Sequence, residues 1–427
     1  MLRIIYTILG YLVLPIISLI IWQKEHSLPK RRKCLKERYG FYSSGEIKPQ
    51  ANGIVIHAAS VGEVIAATPL IKAILANYPQ LSVTVTTVTP TGSDRVKAAF
   101  GDSVHHLYLP YDLPDAVKRF LDFVEPKLLI VIETELWPNL IHQTHQRQIP
   151  FVIANARLSP RSAKRYGWIK PCLQEMLSEI DFILAQDQVS ADRYLGLGFK
   201  AEHLVNTGNL KFDLEVSPQL REKVAQTAVE LHLLDRPIWV AGSTHEGEEK
   251  MLLEAHQQLL KQYPDLVLIL VPRHPERFDS VENLLKNMGM SYVTRSSFEL
   301  LSAGTSVLLG NTMGEMMLFY GLAQVAFVGG SLVKHGGHNP LEPIAFELPV
   351  ISGVHTFNFP EIFAKLREVR GVIEIQSDVT SIVDAVNYFF EKPELGQKIS
   401  QAGVSVLQEN QGALTRHLQL LAPYLEK

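Results

Sequence analysis

The sequence predicts an α/β protein of two parallel-sheet domains behind an apolar N-terminal helix. Three observations carry this. Short β-branched apolar runs, bounded by turn residues, alternate with amphipathic stretches along most of the chain. The alternation pauses once, around Thr207-Gly208-Asn209, and restarts, giving two series of ordinary domain size. Finally, Ile4 to Trp22 is almost wholly apolar, close to the roughly 20 residues a helix needs to cross a bilayer core.

In the first series, Ile54–His57, Val83–Val88, Leu128–Ile132, Phe151–Ala154 and Phe182–Ala185 have the composition of buried strands. Amphipathic stretches such as Val64–Asn77 and Asp115–Val124 lie between them. The second series is Ile238–Ala241, Val267–Val271, Ser291–Thr294, Ser306–Leu309, Val325–Val328, Val350–Ser352 and Val372–Ile375. Such alternation implies right-handed βαβ units, with ligands bound beyond the carboxyl ends of the strands. Two such domains make the cleft between them the natural site.

Composition bounds the rest. The chain has 427 residues, 46% hydrophobic and 20% charged, which is globular. A net charge of −3 gives no basic field for nucleic acid. Cys34 and Cys172 are too few for a disulfide framework and read as free thiols in a reducing compartment. At the N-terminus the exit Ile20-Ile21-Trp22-Gln23-Lys24 lacks the small residues of a signal-peptide cleavage site. Lys24, Lys30, Arg31, Arg32, Lys33, Lys36 and Arg38 follow, against Arg3 before, which places the body in the cytoplasm. The same cluster suits anionic lipid headgroups. The expected organisation is an anchor over 1–24, a basic linker over 25–50, a first domain over 51–208 and a connection over 209–236. A second domain covers 237–400, and C-terminal helices over 401–427 pack back across the cleft.

Two motifs of the first domain carry candidate chemistry. His57-Ala58-Ala59-Ser60-Val61-Gly62-Glu63 follows a strand and opens a helix. A hydrolase nucleophile elbow needs Gly at position 58, so Ser60 is a poor nucleophile candidate. Glu63 is either a plain helix-start acid or, ionised by the unpaired N–H groups there, a general base. In Glu133-Thr134-Glu135-Leu136-Trp137-Pro138-Asn139, two carboxylates end a strand, where they are costly unless solvated or paired, so a cleft role is expected.

In the second domain four loops follow four strands. Gly242-Ser243-Thr244-His245-Glu246-Gly247-Glu248-Glu249 offers a helix start for a single phosphate, without the Walker spacing, and its acid pair argues against a triphosphate. Pro272-Arg273-His274-Pro275-Glu276-Arg277-Phe278 offers cations for a phosphate. Gly310-Asn311-Thr312-Met313-Gly314-Glu315 allows close backbone approach. Gly329-Gly330-Ser331 and Gly336-Gly337-His338-Asn339-Pro340-Leu341-Glu342-Pro343 add a glycine-rich loop and an acid suited to ribose hydroxyls. His335 and His338 lack a third ligand at sensible spacing, and no pair of acids is spaced for a metal, so neither metal nor cofactor is expected.

Taken together and in this order, these runs, with Gly208-Asn209-Leu210-Lys211-Phe212-Asp213, closely resemble the 3-deoxy-D-manno-octulosonic acid (Kdo) transferases of Gram-negative lipopolysaccharide synthesis. The resemblance covers nearly the whole chain. It implies the GT-B type, two Rossmann-like domains facing across a cleft, with the acceptor on the first and the donor on the second. The implied reaction is inverting transfer of Kdo from CMP-Kdo to lipid IVA, a lipid A precursor, at the inner membrane. By the same resemblance Glu63 is the proton acceptor, and Glu133 and Lys211 stabilise the transition state. Pro272, Arg273, Met313, Gly314, Glu315, Asn339, Pro340, Leu341 and Glu342 hold CMP. The alternatives are a nucleotide-sugar epimerase of the same fold and a non-catalytic membrane-associated scaffold.

Overall fold

The computed structural model describes residues 2–25, 35–42, 48–297 and 299–426, with only the backbone for Leu2, residues 16–25 and Cys172. The chain divides into two compact units. Unit 1 is Met1–Asp213 with Gln411–Lys427, and unit 2 is Leu214–Asn410.

Unit 1 is built on a seven-stranded parallel sheet in the order β3-β2-β1-β4-β5-β6-β7. Its strands are β1 (Ile54–His57), β2 (Val83–Thr87), β3 (His105–Tyr108), β4 (Leu128–Ile132), β5 (Phe151–Ala156), β6 (Phe182–Ala185) and β7 (Leu204–Asn206). Side chains alternate between two cores. Ile54, Ile56, Leu128 and Ile130 enter one, and Val55, Leu129 and Val131 the other. Burial on both faces is why these strands read as continuous apolar runs.

The sequence reading missed β3 and β7. Both are edge strands, and the half-buried His105 and His106 of β3 and the three residues of β7 give no apolar run. The final helix, Ala413–Leu425, belongs to unit 1 and sends Ala413, Leu421 and Leu425 into the first core.

Unit 2 carries β8 (Ile238–Thr244), β9 (Val267–Pro272), β10 (Tyr292–Thr294), β11 (Val307–Leu309), β12 (Val325–Val328), β13 (Val350–Gly353) and β14 (Ile373–Ile375). They form a parallel sheet ordered β10-β11-β9-β8-β12-β13-β14. In each sheet the winding reverses once, between β1 and β4 in unit 1 and between β8 and β12 in unit 2. A crevice opens at such a switch point, beyond the carboxyl ends of the two strands.

The expectation of a membrane-spanning anchor needs correction. Among the described residues no helix is long and apolar enough to cross a membrane. The N-terminal segment is helical over Leu2–Glu25, with Pro15 inside. One of its faces is polar and turned to unit 1. Thr7 donates to Asn139 at 3.1 Å, Tyr11 donates to Asp115 at 2.6 Å, and Tyr6 lies against Asp112. The side chains of residues 16–25 and the basic residues Lys30, Arg31, Arg32 and Lys33 lie outside the described set.

Candidate active site

Glu63 stands in the first turn of the helix Val61–Asn77, which follows β1. The Ser60 hydroxyl accepts the Glu63 N–H at 3.3 Å, and the Glu63 carboxylate turns back to accept the Ala59 N–H at 2.6 Å and the Ser60 hydroxyl at 3.0 Å. This reciprocal cap fixes the carboxylate beside the switch point. The expectation that the helix start keeps Glu63 ionised is outweighed. Burial raises its carboxyl, the Ala59 amide and Ser60 hydroxyl pull it back, Glu133 and Glu135 repel it, and it comes to about 7. Such a value suits a general base at neutral pH. A nucleophile–base pair at Ser60 does not form. Its hydroxyl is engaged with Glu63, and His57 is buried with Nδ1 at 2.9 Å from the Thr86 hydroxyl.

Glu133 follows β4 directly, across the switch point from β1. Its φ of 62° is left-handed, a costly conformation for a residue with a Cβ, while its N–H donates to Ala154 at 3.0 Å. Glu133 and Glu135 both act on Glu63. Burial, with Glu133 beside it, also raises the Glu135 carboxyl.

Lys211 Nζ lies 3.1 Å from Glu133 Oε1, with both side chains about four-fifths buried at 18% and 21% exposure. Its turn is held tightly. Asn209 accepts the Lys211 N–H at 3.0 Å, Asn155 accepts the Leu210 N–H at 3.0 Å, and Leu210 and Phe212 are buried. Asp213 then caps the final helix through the N–H groups of Gly412 and Leu414 at 2.6 and 2.5 Å. The Gly208–Asp213 motif is thus one lysine and its scaffold. The structure therefore gathers Glu63, Glu133, Glu135 and Lys211 at one switch point.

Asn139, in contrast, is buried structure. Its N–H and that of Leu140 donate to Asp112 at 2.9 and 2.8 Å, at the start of the helix Pro138–Gln146. Burial lifts the Asp112 carboxyl to about 6, against these amide bonds.

In unit 2 the expected donor residues occupy the carboxyl edge of the sheet. Pro272 ends β9, and the Arg273 N–H donates to Thr244 at 3.0 Å, while the half-buried Arg273 guanidinium has no partner among the described residues. Met313 is exposed and Gly314 has φ +83°. Glu315 is bound within the unit by the Thr312 hydroxyl at 2.6 Å and by Arg295 at 3.1 and 3.2 Å, with Lys223 at 3.6 Å. Burial opposes its ionisation, but these partners bring its carboxyl below the usual value. Asn339 accepts the Leu341 N–H at 3.1 Å, Pro340 and Leu341 are buried, and Glu342 is half-buried near Tyr320.

The loop expected to cradle a phosphate, 242–249, and the glycine-rich loop 329–331 are already filled by one acid. Glu248, fully buried, accepts the N–H groups of His245 and Gly330 on one oxygen at 2.9 and 2.7 Å. Its other oxygen accepts those of Ser331 and Leu332 at 3.0 and 2.9 Å. Burial raises the Glu248 carboxyl and Glu249 adds to it, while the amide bonds pull it back. Glu249 in turn accepts from Thr244 at 3.0 Å and from Arg277. The sequence reading treated this acid pair only as an argument against a triphosphate.

Two doubly wound parallel sheets in one chain, with polar groups gathered at both switch points, have the architecture of the GT-B class. Residues 33–214 match the family model described as 3-Deoxy-D-manno-octulosonic-acid transferase (kdotransferase), and residues 243–405 match Glycosyl transferases group 1. A 3-deoxy-D-manno-octulosonic acid transferase of Haemophilus influenzae is 55% identical over 425 residues, covering 100% of this chain and 99% of the relative. The chain belongs to the Kdo transferase family, and it is a glycosyltransferase that transfers Kdo.

Among solved structures, the C-terminal CMP-Kdo binding domain of WaaA from Acinetobacter baumannii is 36% identical. It covers 45% of this chain and 100% of that one, with a TM-score of 0.43. UDP-GlcNAc 2-epimerase from Neisseria meningitidis covers 87% of this chain and 100% of its own at 14% identity and a TM-score of 0.57. That likeness shows the fold alone, and the full-length relative decides for transfer over epimerisation.

Proposed function

We propose that the protein transfers Kdo from CMP-Kdo to lipid IVA with inversion at the anomeric carbon, releasing CMP. The observation that carries this reading is the buried Glu63 carboxyl, held near pH 7 beside the Glu133–Lys211 pair. Glu63 takes the proton of an acceptor hydroxyl as its oxygen attacks the anomeric carbon. The bond to the CMP phosphate breaks with its electron pair, through a transition state of oxocarbenium character. Glu133 and Lys211 offset charge developing there. Pro272, Arg273, Met313 to Glu315 and Asn339 to Glu342 hold the donor, its single phosphate needing no Walker loop. Incubation with CMP-Kdo and lipid IVA should release CMP and add Kdo mass to the lipid, and the mass also counts the Kdo units. CMP release without added lipid mass would overturn the acceptor.

We also propose attachment to the cytoplasmic face of the inner membrane through the N-terminal helix. Opposite its polar face, Ile5, Ile8, Leu9 and Leu12 are 50–64% exposed, the pattern of a helix lying in a membrane interface. The basic run that follows in sequence suits anionic lipid. A protein beginning near Gln23 should stay folded, transfer Kdo in detergent and sediment with anionic vesicles more weakly, through its basic run alone. Sedimentation equal to that of the full chain would refute the attachment.

A further inference from the structure

We propose that His245, His274, His335 and His338, with Arg273, form the oxyanion pocket of unit 2, which takes an acidic group of the sugar-nucleotide donor and gains a proton as it does so. The inference rests on the donor reading above and adds to it a binding group and a proton.

The placement is the first argument. His245 follows β8, Arg273 and His274 follow β9, and His335 and His338 stand in the loop after β12. All five therefore flank the switch point between β8 and β12, where a doubly wound sheet binds its ligand. His245 is the centre. Its ring lies 4.2 Å from that of His335, 5.1 Å from that of His338 and 5.4 Å from that of His274, centroid to centroid. Gly330 makes room for this. At φ +71°, a Cβ there would sit 3.2 Å from the His338 ring and 3.3 Å from the His245 ring.

Elimination is the second argument. The backbone amides nearest the switch point are held by Glu248, so an arriving anion must be met by side chains. Acids that could neutralise the cluster are committed elsewhere, Glu248 to four amides and Glu249 to Thr244 and Arg277. Arg277, Arg295 and Arg367 of this unit are paired with Glu249, Glu315 and Glu374, whereas among the described residues the Arg273 guanidinium has no carboxylate partner. Its guanidinium faces imidazoles instead of a carboxylate.

A metal does not explain the cluster as well. His245 and His338 point their Nε2 atoms at each other, 2.8 Å apart, instead of at a common centre. Among the described residues no group of three or more His, Cys, Asp or Glu is arranged to hold an ion.

That Nε2–Nε2 contact has room for one proton, donated by one ring and accepted by the other. A further proton must enter at the outer nitrogen, Nδ1, of the donating ring, which leaves the shared bond intact. Without ligand it does not enter. Burial, the other imidazoles, Arg273 and Arg277 hold His245 near 4, and burial with Arg273 and the same rings holds His338 near 3. A bound phosphate or carboxylate reverses the sign of the local charge and favours the imidazolium. His274 and His335 are exposed, so the pocket opens to solvent on their side.

The test is calorimetric titration of the full chain in detergent with CMP, free Kdo and cytidine between pH 6 and 8.5. CMP carries the phosphate, Kdo the carboxylate and cytidine neither. CMP or Kdo should bind more tightly as pH falls, by up to about tenfold per pH unit for each proton taken up, and cytidine should not. Falling pH protonates the CMP phosphate and so works against this trend. The dependence should flatten in His338→Asn and in the paired variant of the exposed rings, His274→Gln with His335→Gln, which keeps the fold testable. Dependence on CMP assigns the pocket to the phosphate, and dependence on Kdo assigns it to the carboxylate. CMP affinity that is flat with pH, together with flat Kdo binding, overturns the pocket alone. Persistence of the dependence in both variants overturns it equally. A chain that binds none of the three overturns the donor reading as well.

Discussion

Unit 1 and unit 2 share seven parallel strands and a single switch point, yet the chemistry at the two switch points is opposite. Beyond β1 and β4 stand three carboxylates and one lysine. Beyond β8, β9 and β12 stand four imidazoles and an arginine that has no acid partner among the described residues, while the nearby acids are tied to amides and to Arg277. One fold fixes where chemistry occurs, and the first residues after each strand fix which chemistry it is. On the proposed reading, unit 1 takes a proton and unit 2 holds an anion.

The largest effect should come from Glu63→Gln, which keeps the size and removes the base. Transfer should fall by about 10²–10⁴-fold, with CMP affinity unchanged because the donor residues belong to the other unit. Glu342→Ala should do the reverse, weakening CMP binding. Near-normal turnover in the Gln variant would break the division of labour and move the base to Glu133 or Glu135.

Lys211→Met tests whether the ion pair acts on the reaction or only on the fold. Loss of one charge-stabilising group typically costs about 10²–10³-fold in rate, and it leaves Glu133 without its cation. Lys211→Arg restores the charge, so it should recover the melting temperature while recovering only part of the rate. Full recovery of both would reduce Lys211 to a scaffold residue.

A smaller and graded effect is expected from pH. The base form of Glu63 is the ionised one, so kcat/KM should rise up to tenfold per pH unit below about 7 and level off above it. Stability runs the other way. A carboxyl raised in the folded state holds its proton more tightly than the unfolded chain does. The stabilisation is complete below the ordinary carboxylate range and is lost as pH rises through about 7. A rate flat from pH 5.5 to 8 would remove Glu63 as the base.

What could be read from the sequence divides along the same physical line. Buried parallel strands write themselves as apolar runs, which is why β1, β4, β8 and β12, the strands that place both sites, were legible. The polar edge strands β3 and β7 were not. Glu63, Glu133 and Lys211 were named through family resemblance, because spacing left Glu63 indistinguishable from a helix cap. In the structure it is a cap as well. Glu248 and the partnership of His245 with His338 were illegible for a different reason. Each joins loops more than 80 residues apart, and no local pattern records such a contact.

Glu248→Gln should give the smallest effect on the reaction and the most local one on the fold. The amide has one acceptor oxygen where the carboxylate has two, and its NH₂ faces N–H groups that need an acceptor. Two of the four backbone donors therefore lose their partner, at a cost of roughly 1–3 kcal/mol each. The loss falls on unit 2 only. Trp239 is buried in that unit, whereas Trp137 and Trp168 belong to unit 1, so fluorescence of a variant retaining only Trp239 should report a lowered transition. The same measurement on unit 1 tryptophans should be unchanged. Donor KM should rise a few-fold as the Gly330 loop loosens, with kcat nearly constant. If the unit 2 transition stays in place while donor binding is abolished, Glu248 serves the ligand directly, and the opposition between an acidic and a cationic switch point fails at its second half.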